Sequence, residues 1–260
     1  MMDLATTPAA RSPTPVLATA AAGLGAAAIL VLLGGPLGYR IGLWPLPLAL
    51  GLLPRVAVYL GAAAVLVGAL GLLSSLFGRR RLWALVALAG MLVGGVSAYA
   101  PLRFRAIGRS LPPINDITTD TENPPQFQAL MPLRAAAHAE PIVHNAEVAR
   151  LQKSAYPDIA PLTLALTPDR ALVLAVAQAN RMGWTIINID AAHGRLEATD
   201  RTLWYGFTDD IVVRVAADEG SGGARIDIRS KSRVGRGDFG ANARRVRNYL
   251  AAVKGAGSLN

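Results

Sequence analysis

The sequence predicts a membrane-anchored α+β protein, in which three N-terminal transmembrane helices precede an antiparallel sheet of about four strands with two or three helices packed on it. Two observations support this class. Uncharged apolar stretches occupy about residues 16–35, 56–77 and 82–102. After residue 110, a helical pattern, four strand patterns and a second helical pattern follow in order, which is typical of an antiparallel meander covered by helices.

Each apolar stretch is long enough to cross a bilayer as a helix, because about 20 residues rising 1.5 Å each cover a hydrocarbon core of about 30 Å. The first is predicted to be an uncleaved anchor, since its uncharged run over 12–39 exceeds the roughly 7–15 residues of a signal-peptide core. Residues 41–54 are too short and too rich in proline to span, and they predict an interfacial connector. We therefore assign residues 1–109 to the membrane region.

The positive charge is concentrated in this region, which carries +8 of the total formal charge of +9. Arginines that flank apolar stretches are explained by headgroups and topology, so no nucleic-acid partner is predicted. The short loop with Arg79, Arg80 and Arg81 predicts a cytoplasmic position for that loop. Three spans then place the C-terminal domain in the periplasm of a bacterium, on its inner (cell) membrane. Three arginines after the third span oppose this orientation: Arg103, Arg105 and Arg109.

Small residues in the third stretch favour close helix packing. Gly90 and Gly94 form a GxxxG pattern, which allows either packing of the three helices or a homo-oligomer. The chain has no cysteine, which excludes disulfides, thiolate metal sites and cysteine nucleophiles. Its three histidines lack metal-ligand spacing, so neither a metal nor a cofactor is predicted.

Beyond the membrane region, residues 110–126 are rich in Pro, Thr, Asp and Asn and predict a linker, and residues 127–254 predict the folded domain. Thr167 and Pro168 form a helix start, and the helical pattern ends at Gly183. Asp238 is in a position to cap a second helix. Helical spacing also occurs over 147–155. The four predicted strands are 184–190, 195–202, 209–216 and 224–232.

The last predicted strand separates apolar from charged side chains. Ile226 and Ile228 are predicted to face the core, while Arg225, Asp227 and Arg229 are predicted to face water. The candidate anion-binding residues lie at or after the end of this strand, and they are Arg229, Ser230, Ser232, Arg233, Asp238, Asn242 and Arg245.

Two interpretations of this segment remain open. Arg229 and Arg233, beside the amides of a helix N-terminus, suit a phosphate, a carboxylate or a lipid headgroup. Alternatively, the arginines pair with acidic residues of the same domain and fix the loop against the sheet. The candidate structural partners are Glu197, Asp209 and Asp210, together with Asp238.

No catalytic residue is predicted. Asp209 and Asp210 are neighbours in a strand and point to opposite faces, so they cannot readily act as a general acid–base pair on one substrate. The serines lack a nucleophile elbow. Four aromatic residues are predicted to lie in the core or at its rim, where they could also line a lipid-binding cleft: Trp184, Trp204, Tyr205 and Phe207.

Several separated motifs occur together. They are Pro-Pro-Gln-Phe at 124–127, Tyr-Pro-Asp at 156–158, Arg-Leu-Glu-Ala-Thr at 195–199, Gly-Phe-Thr-Asp-Asp at 206–210 and the run RSKSRVGRGDFGAN at 229–242. Over about residues 113–252 the chain resembles the bacterial and plastid family known as domain of unknown function 1499. The resemblance implies an extracytoplasmic or membrane-tethered domain, and it implies no activity.

The expected function is therefore a membrane-tethered, extracytoplasmic binding or interaction domain. Its expected partners are the lipid bilayer and an anionic small molecule, a lipid headgroup or an envelope protein. The alternative from another class is a membrane-surface hydrolase or transferase that uses Glu197, Asp209 or Asp210 as acid or base.

Overall fold

The structure is a computed structural model that describes residues 13–77, 80–220 and 222–258. Arg79 of the predicted cytoplasmic loop lies outside these residues. The chain divides into two compact units, Met1–Ala106 and Ile107–Asn260, which we describe separately.

The first unit contains helices that are long and apolar enough to cross a membrane. They are α1 (Thr14–Arg40), α2 (Leu53–Phe77) and α3 (Arg81–Ser110), whose last residues belong to the second unit. The three helices have the length and the apolar composition of membrane spans, which confirms the three predicted spans, and the chain is a membrane protein. Each helix exceeds its predicted span, and a π-helical turn at Leu48–Leu52 continues into α2, so part of the predicted connector is helical.

Glycines of α3 contact the other two helices of the same chain. A Cβ added to Gly90 would lie 2.5 Å from the carbonyl carbon of Ala21 in α1. A Cβ added to Gly94 would lie 2.6 Å from the Cβ of Ala64 in α2. Both glycines are buried by this packing within one chain, so a homo-oligomer would have to use another face.

We expect Gly90→Ala to lower the stability of the membrane unit by about 1–3 kcal/mol, because the added methyl group overlaps backbone atoms that cannot move aside. Gly95→Ala is the matched control, since its Cβ would have 3.8 Å to the nearest atom, in Val65. Thermal unfolding of the full chain in detergent micelles measures both. Equal melting temperatures for the two variants would contradict the close packing.

The second unit is an antiparallel sheet with helices, which confirms the predicted α+β class. The strands are β1 (Asp116–Thr118), β2 (Leu162–Leu164), β3 (Thr185–Asp190), β4 (Arg195–Arg201), β5 (Thr208–Ala217) and β6 (Ala224–Ser232). Their order is β1-β6-β5-β4-β3, and β2 pairs with the same edge of β6 as β1 does. The helices are α4 (Met131–Ala136), α5 (Ala146–Ala155), α6 (Pro168–Arg181) and α7 (Ala241–Gly257).

The structure corrects two details of the sequence prediction. The sheet of the described residues has six strands rather than about four. The prediction missed β1 and β2 because these strands are too short to show alternation. The predicted linker 110–126 also contributes β1, which is buried and pairs with β6.

The two faces of the sheet are both covered. Helices α6 and α7 pack on one face, where Trp184 stacks on Tyr249 with ring centroids 4.8 Å apart. On the other face, Phe127 and Leu130 pack against Val212 of β5. The charged face of β6, which the sequence predicted to be wet, is therefore largely buried, since Asp227, Arg229 and Lys231 are all covered.

Candidate functional site: a buried charge network and an exposed basic end

Arg229 is held on the second face of the sheet by a carboxylate from the neighbouring strand. Its Nε and Nη2 donate to the two carboxylate oxygens of Asp116 in β1, at 2.8 and 2.7 Å. Its Nη1 donates to the backbone carbonyl of Pro125 at 3.3 Å, and its guanidinium lies 5.5 Å from the Phe127 ring centroid. The side chain is only 1% exposed. This two-pronged pair gives Arg229 a strong, directional partner within the chain.

Asp210, on the same face, accepts hydrogen bonds from two arginines. Arg134 Nη1 of α4 donates to it at 2.5 Å, and Arg233 Nη2 donates at 2.7 Å. All of these groups lie in the folded unit, and Asp210 is fully buried. Two guanidinium groups on one carboxylate compensate for the cost of burying its charge. They also tie α4 and the segment after β6 to β5.

Glu197 of β4 has backbone partners instead of an arginine fork. Its two oxygens accept hydrogen bonds from the amides of Gln128, Ala129 and Leu130, at 2.9–3.0 Å. These amides precede α4, whose first amides have no acceptor inside the helix. Arg195 Nε lies 3.6 Å from a Glu197 oxygen and has no hydrogen-bond partner in the described structure. Glu197 thus anchors the start of α4.

Asp209 points to the opposite face, toward α7, as the alternation of a strand requires. Its carboxylate accepts from Arg245 Nη2 at 2.7 Å, and Arg245 Nε donates to Asp200 at 2.9 Å. Burial raises the pKa of Asp209 above its ordinary value, and the charge of Arg245 opposes that shift. The adjacent carboxylates Asp209 and Asp210 are therefore separated by the sheet and do not meet at one site.

Three further polar residues of the 229–242 run, Ser230, Ser232 and Asn242, form one hydrogen-bonded cluster with Arg245. Ser230 Oγ donates to Asn242 Oδ1 at 2.6 Å, and Asn242 Nδ2 donates to Ser232 Oγ at 2.9 Å. Asn242 Nδ2 also donates to the carbonyl of Asn115 at 3.1 Å. The two serines and Asn242 are buried, so they satisfy one another and join β6, α7 and the segment before β1.

Asp238 fills the anion position at the start of α7. Its carboxylate accepts from the amides of Gly240 and Asn242, at 2.8 and 2.7 Å. The residue that precedes the helix is Gly240, with φ +73°, rather than Asp238 as the sequence predicted. The helix N-terminus that was a candidate for binding an external anion is thus capped by the chain's own carboxylate.

Another group of charged residues was not predicted from the sequence. Arg214 and Arg225 both donate to Asp120 and to Asp227, at 2.9–3.1 Å. Burial alone would raise the pKa of Asp120, but hydrogen bonds from the backbone amides of Glu122 and Asn123 and the charges of the two arginines hold this pKa below its usual range. Burial also lowers the pKa of Lys231, whose ammonium donates to Asn115 at 3.2 Å.

The structure thus divides the predicted residues between the two faces of the sheet, and it supplies the arginines among them with internal carboxylates. Arg233 and Arg245 contact Asp210 and Asp209, two of the predicted partners. The partner of Arg229 is Asp116, which the sequence analysis missed because it assigned that segment to a linker. The run Ile-Asn-Asp-Ile at 114–117, with two β-branched residues in a turn-rich segment, was the available signal for a short strand.

Exposed cations gather at one end of the sheet, which we call the proximal end because the chain arrives there from α3. It consists of the start of β1, the end of β6 and the β4–β5 loop of residues 202–207. Asp116 pairs with Lys231 near the end of β6, and Arg201 pairs with Thr208 across the loop. The exposed arginines beside these elements are Arg109, Arg201, Arg236 and Arg244.

A surface hollow lies next to α5. It is lined in part by Glu122, His144, Arg150 and Lys153. Lys153 is paired with Glu122 at 2.6 Å, and Arg150 with Glu147 at 2.8 Å. No cluster of metal-ligating side chains occurs among the residues that the structure describes. The hollow is open and its cations are paired, so it does not define a binding site.

The three apolar helices and the antiparallel sheet with its helices define a membrane protein that carries an α+β domain. A family model described as "Protein of unknown function (DUF1499)" matches residues 116–253, which is more than half of the chain. The chain belongs to this family, and the resemblance based on its motifs is confirmed. No curated protein matches the chain.

We expect Arg229→Met to destabilise the domain by about 3–5 kcal/mol, because it leaves the Asp116 carboxylate buried without its partner. The matched control is Arg150→Met, in an exposed ion pair, which should change stability little. Hydrogen exchange of peptides from β6, measured by mass spectrometry on the full chain in detergent, reports the effect.

The double variant Asp116→Leu/Arg229→Met tests the cause. Replacing both charges removes the uncompensated carboxylate, so much of the protection of β6 should return. A double variant that is no more stable than Arg229→Met would show that Arg229 acts through contacts other than this ion pair.

Proposed function

We propose that the domain binds the anionic headgroups of a lipid bilayer through the proximal end of its sheet. The observation that supports this proposal is the contrast between the two sets of arginines. Arg229, Arg233 and Arg245 are engaged by internal carboxylates, whereas Arg201 and Arg236 are exposed and form none of the ion pairs of the described residues. An external anion is the natural partner for cations of the second kind.

Most acidic residues at this end are already engaged inside the domain, so they do not neutralise the exposed arginines. Asp200 and Asp209 are bound to Arg245, and Asp238 caps α7. The exposed Glu140 lies on the α4 side, where its amide donates to the carbonyl of Arg233. Asp158 is exposed as well, but it is paired with Arg247 of α7. The four exposed arginines therefore outweigh the exposed carboxylates that form no ion pair among the described residues of this end, and this balance favours an anionic surface as partner.

Chain connectivity supports a lipid partner over a soluble one. Ser110 ends α3, and six further residues reach Asp116 at the start of β1. Six residues extend at most about 20 Å, so the proximal end cannot move far from the end of the third apolar helix. A domain tethered in this way meets headgroups at high effective concentration, and weak contacts are then sufficient.

The arrangement of the carboxylates gives the hydrolase alternative no support. Glu197, Asp209 and Asp210 are all buried, and each already accepts hydrogen bonds from amides or guanidinium groups. A general acid or base must reach the reacting group. These carboxylates lie inside the domain and on different faces of the sheet, where they stabilise the fold.

The location proposed for this domain is the periplasmic side of a bacterial inner membrane. The short loop with Arg80 and Arg81 between α2 and α3 supports this location, because the positive-inside rule assigns such a loop to the cytoplasm. The N-terminus is then cytoplasmic as well, and the odd number of spans puts the domain outside. Arg103, Arg105 and Arg109 would then face the outer headgroups of that membrane, in keeping with the proposed partner.

We expect the variant Arg201→Gln/Arg236→Gln to lose its preference for anionic lipid. The full chain is reconstituted in nanodiscs of phosphatidylcholine, alone or mixed with phosphatidylglycerol, and hydrogen exchange is measured in peptides that cover 199–208 and 233–240. Wild type should exchange more slowly in the anionic discs. Each arginine near an anionic surface contributes about 1 kcal/mol, so the double variant should weaken docking by roughly tenfold or more.

The matched control is Arg170→Gln/Lys254→Gln, which removes two exposed charges from elements away from the proximal end. It should keep the anionic preference, and 0.5 M salt should reduce that preference in wild type. Inorganic phosphate added to the phosphatidylcholine discs distinguishes a small anion from a lipid. Equal protection in both kinds of disc, or equal loss in test and control variants, would contradict the proposal.

Topology can be measured directly, because the chain has no cysteine of its own. Val173 is 71% exposed on α6, so Val173→Cys should react with a membrane-impermeant maleimide in intact bacterial spheroplasts. Thr6→Cys, at the N-terminus, should react only after lysis. The reverse pattern would place the domain in the cytoplasm and would refute the proposed location.

A further inference from the structure

The β4–β5 loop at the proximal end exposes two large apolar side chains in succession. Leu203 is 80% exposed and Trp204 is 60% exposed. A single exposed leucine is common on protein surfaces. Adjacent leucine and tryptophan at the tip of a hairpin form a compact apolar projection instead, and such projections mark surfaces that contact a partner.

The backbone of this loop is fixed by its own hydrogen bonds. Thr202 donates its amide to the carbonyl of Phe207 at 2.9 Å, and its hydroxyl accepts from the Phe207 amide at 2.9 Å. Gly206, with φ +68°, donates to the carbonyl of Thr202 at 3.0 Å, and the rings of Tyr205 and Phe207 stack 5.2 Å apart. Leu203 and Trp204 therefore lie on a preformed turn, and the backbone loses little conformational entropy when they bind.

The chemistry of the tip matches the interfacial layer of a bilayer. Tryptophan prefers the depth of the headgroups, where its ring is in apolar surroundings and its indole N–H reaches water or phosphate. Arg201 precedes the tip and Arg236 lies at the same end of the sheet, so cations flank the apolar pair. Apolar side chains surrounded by basic residues are the pattern of segments that lie in the membrane interface.

We propose that Leu203 and Trp204 insert into the interfacial layer of the bilayer that carries the three apolar helices. This inference rests on the proposed function only for the identity of the partner, since it adds an apolar contact that needs no anionic lipid. Two side chains are too few to hold a free protein on a membrane. They suffice here because α3 connects the same end of the sheet to the bilayer, which makes the contact intramolecular.

The test places one environment-sensitive fluorophore at the tip. Leu203→Cys gives a unique labelling site in a chain without cysteine, and Val173→Cys is the control, with a similarly exposed apolar residue away from the tip. The full chain is reconstituted in zwitterionic phosphatidylcholine nanodiscs, with or without lipids brominated on their acyl chains. The label at 203 should emit at shorter wavelength than the label at 173 and should be quenched by the brominated lipid.

A second readout leaves Leu203 in place. The fluorescence of wild type minus that of Trp204→Phe reports Trp204 alone, and it should be quenched by the same brominated lipid. Water-like emission without quenching in both readouts overturns the inference. A blue-shifted label that bromine does not quench also overturns it, because the tip then contacts protein, either a second copy or another chain.

The two lipid proposals can fail separately. Quenching in phosphatidylcholine discs together with no response to phosphatidylglycerol would sustain tip insertion and refute headgroup recognition. A response to phosphatidylglycerol with an unquenched tip would do the opposite.

Discussion

The buried ion pair between Arg229 and Asp116 is the interaction on which the architecture of the domain depends. Strand β6 has a charged face, and a charge removed from water requires a partner with good geometry. Asp116 meets this requirement from β1, which the pair fixes to the edge of β6. Once β1 is placed, the following segment covers the second face, and Asp210 and Glu197 anchor α4 upon it. The polar face of the sheet is thus buried, and ion pairs and hydrogen bonds hold its cover in place.

This constraint also determines where function can reside. Residues that look like an anion pocket in the sequence are satisfied from within: Asp238 occupies the start of α7, and Asp209 occupies Arg245. An external anion would have to displace these carboxylates and leave them buried, at a cost of several kcal/mol. The buried polar residues of the 229–242 run thus join β6 and α7 to the rest of the sheet. The proposed recognition therefore uses exposed groups, and at the proximal end these are arginines and the Leu203–Trp204 tip.

Sequence patterns predicted the features that repeat over many residues. Hydropathy identified the three apolar helices, and the Thr167–Pro168 start identified α6. β-branched content identified β3, the turn before it identified β4, and alternation identified β5 and β6. Alternation also placed Asp209 and Asp210 on opposite faces, as the structure shows. Patterns failed where the decisive contact is long-range. Strands β1 and β2 have three residues each, too few for a period to appear, and they owe their form to pairing with β6.

The long-range contacts of β6 also made the site only partly predictable from the sequence. A sequence shows that Arg229 is charged and that Ile226 and Ile228 of the same strand are apolar, but it does not show what covers the charged face. The covering segment lies more than one hundred residues earlier, and its proline-rich composition suits both an open linker and a tightly packed cover. The segment adopts the packed arrangement because it buries the Arg229–Asp116 pair. A domain that pairs its buried arginines internally, while α3 tethers its proximal end, needs only weak external contacts, and the proposed headgroup and tip contacts are of that kind.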